Sequence, residues 1–552
     1  MKAKMLLSLI MSTVLLLVGG LLTALLVVGV ARADGTHHRE RPETFLKEAL
    51  VHDLTKKGFQ VSEGKAVLYT IDKCQDYTYP LLKNCFLGNP AAPYVVPVVK
   101  SWPDEYVDPA TVNAFGETDP GFSSTYRLDP REAILIFGQM PPPARYMGLQ
   151  TWAFSQHGKW KPKDYNQWAH TPDLPFPMQY LFDTIPPDDP KSQRVITFSA
   201  LGDVVNNVVM ERQSGYPFGE TRYFIITPSA TTDYAVRRAL QAQGVPDIHI
   251  FTEQIPSEDD FGPIGPLGMG KNAIDFATAF RYAVADPAYQ DAAQEWRQDP
   301  PLTVLRVRAP ASLGPVQRYT SLIFEPRTAE NEKRLAGDLQ NLVAAVCHRV
   351  SSHAKLTSTD CTQPPPATSF IGELVRDYGW TGPYCRDIAM DCQADQQEAA
   401  LYFSSPRSLD SGQVLAVVGT LATETGNATY VGLSANDASM MAGVTNVLDT
   451  DVNGPDGLIK GLKGSAHSYA KSVNNTGKFF VHYFAENCDV LEHVRGGKEN
   501  CSTTLGVQPA IGDPALRGKF IIALRDYIAT GTQRGPDPSK LLTPRILTFT
   551  KP

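Results

Sequence analysis

Eight cysteines stand in four close couples: Cys74 and Cys85, Cys347 and Cys361, Cys385 and Cys392, Cys488 and Cys501. An even set, clustered this way and closing short loops, reads as four sequential disulfides, the staples of a chain that folds in an oxidising compartment. Many other connectivities are open to eight cysteines, but no Cys-x-x-Cys spacing points to a metal, and no odd cysteine is left over as a catalytic thiol.

The N-terminus points to the same compartment. Lys2 and Lys4 precede an uncharged apolar run from Met5 to Val30, followed by Ala31-Arg32-Ala33 and Asp34. A basic start, an apolar stretch and small residues at a cleavage point make a secretory signal. The run is also long enough to span a bilayer, so an uncleaved anchor is the alternative. In either case the body from Asp34 onward is expected outside the cytoplasm, and the membrane is expected as a partner only through this segment. Removing Lys2, Lys4 and Arg32 from the 51 basic residues, against 58 acidic ones, leaves a body of net charge −10. That balance excludes nucleic acid as a partner, because phosphate-backbone binding needs a basic face.

The pattern along the chain predicts a mixed α/β (α+β) fold with short, mostly antiparallel strands. With Pro 43 and Gly 42, turns are frequent and long helices few. Four regions are expected: a signal or anchor over 1–33, an α/β lobe over 34–325, a helix with a disulfide-stapled linker over 326–405, and a β-rich C-terminal lobe over 406–552. A central βαβ element follows from a strand at Thr221–Thr227, a helix at Thr231–Gln243 stopped by Gly244, and a strand at Ile248–Phe251. Further helices are expected at Pro42–Lys57, Asn272–Ala283 and Thr328–Val350, the last capped by Thr328. Val414–Thr425 and Ala428–Leu433 read as a hairpin turning at Gly426-Asn427.

Two segments look alike. Ala133–Gln150 and Val414–Ser434 each run from an apolar strand through a glycine, Gly138 or Gly419, and a turn to Tyr-x-Gly-Leu: Tyr146, Gly148 and Leu149 in one, Tyr430, Gly432 and Leu433 in the other. Downstream, RYFI at 222–225 matches KFFV at 478–481. This suggests duplicated β-lobes with any ligand held between them. Chance likeness of two hairpins is the alternative.

The chemical motifs are incomplete. Asp449, Asp451 and Asn453, with Gly454, alternate as in a Ca²⁺ loop, but Lys460 stands where an EF-hand has its bidentate Glu, so Ca²⁺ here competes with a plain Asx turn. Gly265 to Asn272 approaches a P-loop but lacks its Ser/Thr. Ser434 lacks the second glycine of a nucleophile elbow. His482 and Glu486 lie too far apart on a strand, about 13 Å, to share a metal. Asn427, Asn474 and Asn500 open glycosylation sequons.

Trp152, Trp160, Tyr165 and Trp168 crowd a proline-rich stretch with several lysines, and exposed rings on a loop would stack on a glycan or another flat small molecule. Two functions stay open. One is an extracytoplasmic ligand-binding or surface protein. The other is a secreted hydrolase whose site gathers distant residues, with Asp437, His482 and Glu486 as first suspects.

Overall fold

The computed structural model describes residues 42–82, 85, 88–157, 194–202, 204–256, 258–259, 262–263, 266–319, 325–362, 397–440, 442–454, 457–504 and 516–552. Residues 1–41, and with them the signal or anchor, lie outside this set. Among the described residues no helix is long and apolar enough to cross a membrane. Lys47–Pro552 forms one compact unit.

The fold is mixed α/β. Its first half is built on nine principal strands: β1 (Gln60–Leu68), β2 (Tyr94–Lys100), β3 (Glu132–Gln139), β4 (Ala144–His157), β5 (Arg194–Ala200), β6 (Thr221–Thr227), β7 (Ile250–Gln254), β8 (Asp275–Ala285) and β9 (Leu302–Arg308). They run in the order β5-β4-β8-β2-β1-β9-β3-β6-β7. Strand β1 changes partner midway: Gln60–Gly64 pairs with β9, and Lys65–Leu68 pairs with β2. The sheet thereby folds over into two layers. Val95, Leu149 and Phe280 from one layer close a core with Ile136, Phe224 and Val304 from the other. The expected βαβ element is present. Strands β6 and β7 are parallel, and the helix between them, Ala230–Ala242, buries Val236, Ala239 and Leu240. Ser229 caps that helix by accepting from the Thr232 N–H.

The second half holds β10 (Ala399–Phe403), β11 (Val414–Thr420), β12 (Tyr430–Asp437), β13 (Ala442–Leu448), β14 (Phe479–Ala485), β15 (Cys501–Thr503), β16 (Lys519–Tyr527) and β17 (Arg545–Phe549). These make two sheets, β10-β16-β12-β13 and β15-β14-β11-β17. Leu433, Ile522 and Leu524 of the first meet Leu415, Val417, Phe480 and Phe484 of the second. The helix Ala336–His353 covers the outer face of the second sheet with Leu339, Leu342, Val346 and Val350.

The two halves share one pairing scheme. Strands β2 to β9 correspond in order to β10 to β17. The antiparallel pairs β4/β5, β4/β8, β2/β8, β3/β9 and β3/β6 recur as β12/β13, β12/β16, β10/β16, β11/β17 and β11/β14. The parallel pair β6/β7 recurs as β14/β15. Register agrees in the β4/β8 and β12/β16 pairs: Gly148 faces Arg281, and Gly432 faces Arg525. The Tyr-x-Gly-Leu likeness thus marks the same strand in two similar sandwiches, which pack front to front. Tyr146 and Ala283 meet Tyr430, Leu448 and Tyr527, while Tyr94 and Trp152 belong with Met440 and Ala442.

Several expectations are corrected. Asn272–Ala283 is not a helix but the approach to and body of strand β8, which is buried on both faces and so lacks a strand's alternation. Val414–Thr425 is not one strand: β11 ends at Thr420, and Ala422–Thr425 is a helical turn closed by left-handed Gly426 (φ +82°). There is no hairpin at Gly426-Asn427, since β11 and β12 lie in different sheets. Strands β3 and β4, consecutive in the chain, are not neighbours: four strands stand between them in the sheet order. Thr328 does not cap the long helix, which enters through a turn over Glu332–Leu335 whose cap is Asn331.

Three of the expected disulfides are formed: Cys74–Cys85, Cys347–Cys361 and Cys488–Cys501. Cys385 and Cys392 lie outside the described residues.

Candidate functional site

The faces that join the two sandwiches are lined by the residues the likeness singled out. On β4, Tyr146, Gly148, Gln150 and Trp152 point into this layer, because alternate residues such as Leu149 fill the sandwich core. On β12 the same positions are Tyr430, Gly432 and Ser434. Strand β8 contributes Arg281 and β16 contributes Arg525. Both arginines are buried, and each donates to the matching residue of its neighbour: Arg281 to Gln150 Oε1 at 3.1 Å, Arg525 to Ser434 Oγ at 3.0 Å. Glu398, fully buried, forms an ion pair with Arg281 across the layer. The Trp152 and Tyr94 rings lie 5.4 Å and 5.8 Å from the Arg281 guanidinium carbon. Tyr430 and Tyr527 stack with centroids 4.5 Å apart. Arg145, half-buried, closes the layer by holding Asp449 at 2.7 Å and Thr450 at 3.1 Å.

This layer is a sealed joint rather than an open cleft. Its tyrosines titrate well above their ordinary range because burial disfavours the phenolate. A second buried polar set lies inside the first sandwich. Glu253 accepts from the Thr151 N–H and hydroxyl, the latter at 2.7 Å, and Thr151 meets Thr278, which meets Tyr126. Burial raises the Glu253 carboxyl to about 7. The cavity beside Thr278 is about 10 Å³, room for about one water.

The residues singled out in the sequence do not meet. Asp437, at the end of β12, accepts from the Ser439 hydroxyl at 2.5 Å and the Met440 N–H at 3.1 Å. His482 is buried on β14 against Phe484, and its Nε2 lies 3.0 Å from Ser502 Oγ. Burial pushes the His482 imidazole down to about 3, so it is neutral. Glu486 lies just past β14, half-buried. No hydrogen bond or ion pair among the described residues joins any two of the three. Gly265 to Asn272 does not precede a helix: Gly268 N–H donates to Leu128 O, Gly270 O accepts from Arg127, and the chain runs on into β8.

The acidic loop is a turn and ribbon. Asp449 is engaged by Arg145, and Asp451 accepts from the Gly461 N–H at 2.9 Å. Asn453 sits on the first strand of a small ribbon, Val452–Gly454 paired with Gly457–Ile459. Among the described residues no group of three His, Cys, Asp or Glu is placed to hold a metal ion.

Trp152 is a core residue, 1 % exposed, because β4 extends through His157. Its ring therefore faces the interlobe layer and not solvent. Trp160, Tyr165 and Trp168 lie outside the described residues. Of the sequon asparagines, Asn427 is buried and donates to Glu332 and to Glu330 O, whereas Asn474 is exposed.

One surface was not foreseen. Tyr216 and Tyr289 are 59 % and 45 % exposed, while Phe218, Tyr282 and Trp296 are buried. The Tyr216 and Phe218 centroids are 5.5 Å apart, those of Tyr282 and Trp296 5.8 Å. Partial burial raises the Tyr216 hydroxyl above its ordinary range, and the charges of Asp286, Tyr289 and Glu211 add to the rise. Residues from a post-helix turn (Tyr216) and a 3₁₀ turn (Pro287–Tyr289) make this surface, so no local spacing in the sequence announces it.

No protein-family model matches the chain, and no curated protein does. Among solved structures, the crystal structure of the VPA0106 protein from Vibrio parahaemolyticus is similar at 10 % identity and a TM-score of 0.31, covering 91 % of this chain and 96 % of that one.

Proposed function

We propose that this is an extracytoplasmic, disulfide-stabilised ligand-binding protein, secreted, periplasmic or held at a surface, and that Tyr216 and Tyr289 form its binding face. The exposed tyrosine pair carries this reading. A tyrosine offers a flat apolar face and a polar tip, which suits the faces and hydroxyls of a sugar ring. The carboxylates of Asp286 and Glu211, whose charge is felt at Tyr216, would supply acceptors for those hydroxyls. Binding is favoured over hydrolysis because the histidine suspected of catalysis is buried, neutral and set against a serine, with no carboxylate bonded to it among the described residues.

The test is a glycan array followed by calorimetric titration of the strongest glycan found. Tyr216→Ala with Tyr289→Ala is expected to weaken binding at least about tenfold, as loss of stacking rings does. A loss confined to Trp160→Ala with Trp168→Ala would move the face to that segment and refute the tyrosine site. Cleavage of the glycan, or the absence of any glycan that binds, would overturn the reading.

A further inference from the structure

The interlobe layer has an uneven charge balance. Arg281 is neutralised by Glu398. Arg525 holds the equivalent place in the other lobe and is 2 % exposed, yet no ion pair among the described residues joins it to a carboxylate. Its Nη1 donates to Ser434, and its Nε has no hydrogen-bond partner. A guanidinium does not shed its proton inside a protein, so the charge stays. Phe403, with its ring centroid 5.4 Å from the guanidinium carbon, softens the desolvation without neutralising it.

Among the described residues, the groups that act on Arg525 do not supply the missing charge. Tyr94, Tyr430 and Tyr527 lie about Arg525, but burial keeps their hydroxyls protonated at neutral pH, Tyr527 up to about 12. The formal charge that acts on Arg525 most is Arg281, which repels it. A buried and uncompensated cation costs several kcal/mol, and a paired layer would need one more negative charge.

We propose that a small monovalent inorganic anion of the halide class binds between the lobes at Arg525, with the guanidinium Nε as its main donor. A Cβ on Gly88 would stand 3.1 Å from the Arg525 guanidinium, and this close approach favours a small ion over an oxyanion. Such an ion belongs to the folded state alone, so it stabilises the protein by mass action.

Bromide is the probe. The melting temperature of the full chain is followed from about 5 to about 500 mM sodium bromide, with ionic strength held by sodium gluconate. The expected result is a saturable rise of roughly 3 °C in the wild type and none in Arg525→Gln. Because Arg525→Gln can fail to fold, bromide anomalous diffraction on the wild type provides an independent reading, with a peak expected beside Arg525. Equal responses in wild type and variant, or no peak at Arg525, would overturn the proposal.

Discussion

Two buried titratable residues give the fold opposite responses to pH. Glu253 is raised from 4.5 to about 7 by burial. Between those values the folded state keeps a proton that the unfolded chain has released, so stability falls as pH rises through this window, by ~3 kcal/mol in all. Glu253→Gln mimics the protonated form and can still engage Thr151. Urea unfolding at pH 5 and pH 8 is expected to show a smaller difference between the two pH values in the variant, and an unchanged difference would refute the assignment. His482 runs the other way. Lowered from 6.5 to about 3 by burial, it stays neutral while the unfolded chain takes up a proton. Its contribution is present above pH 6.5 and is lost as pH falls toward 3, at ~3 kcal/mol between pH 6.5 and 4. His482→Gln should flatten that acid limb. An acid limb as steep as the wild type's would show that His482 is not the group being titrated.

At the scale of elements, close approach decides what each turn tolerates. Gly138, last but one in β3, has φ +153°, and a Cβ there would lie 2.0 Å from the Pro301 carbonyl oxygen, a backbone atom that cannot step aside. Gly215 also has positive φ, +77°, but open space around it. Gly138→Ala should cost more than ~2 kcal/mol and Gly215→Ala about 1 kcal/mol in urea unfolding; equal costs would contradict the packing described. The Cys488–Cys501 bridge ties the turn Cys488–Leu491 to β15. Replacing both cysteines by serine should cost ~3 kcal/mol, read as a lower urea midpoint, and an unchanged midpoint would show that the bridge constrains nothing.

Local signals made some elements readable in the sequence and hid others. The βαβ element was legible because a branched apolar strand, an amphipathic helix and Gly244 follow one another within a short span. The paired cysteines were legible by spacing, as the three described bridges show. Strand β8 was not: with both faces buried, its apolar residues fall at helical and strand intervals alike. Which strands pair was also beyond local signals, because β3 and β4 are consecutive in the chain and far apart in the sheet. The Tyr-x-Gly-Leu likeness could have been carried further. Phe280-Arg281 and Leu524-Arg525 lie opposite those motifs in matching register, and together they would have pointed to the interlobe layer. The Tyr216 and Tyr289 surface left no such trace, since its parts are distant in sequence.

Seen as a whole, the molecule is two sandwiches of one pairing scheme, joined by a layer that combines apolar contacts with buried charge. The apolar contacts around Tyr146, Tyr430 and Tyr527 give the joint its adhesion. The Arg281–Glu398 pair sets which arrangement of the two faces is allowed, since breaking a buried pair leaves an unpaired charge at a cost of about 3–5 kcal/mol. The layer therefore couples the lobes. Scanning calorimetry of the full chain against Glu398→Gln tests that coupling most directly. The structure predicts a single unfolding transition in the wild type and, in the variant, either two transitions or one broadened well beyond the wild type's width as the lobes part. A variant that melts as sharply and at the same temperature as the wild type would contradict a joint held by this pair.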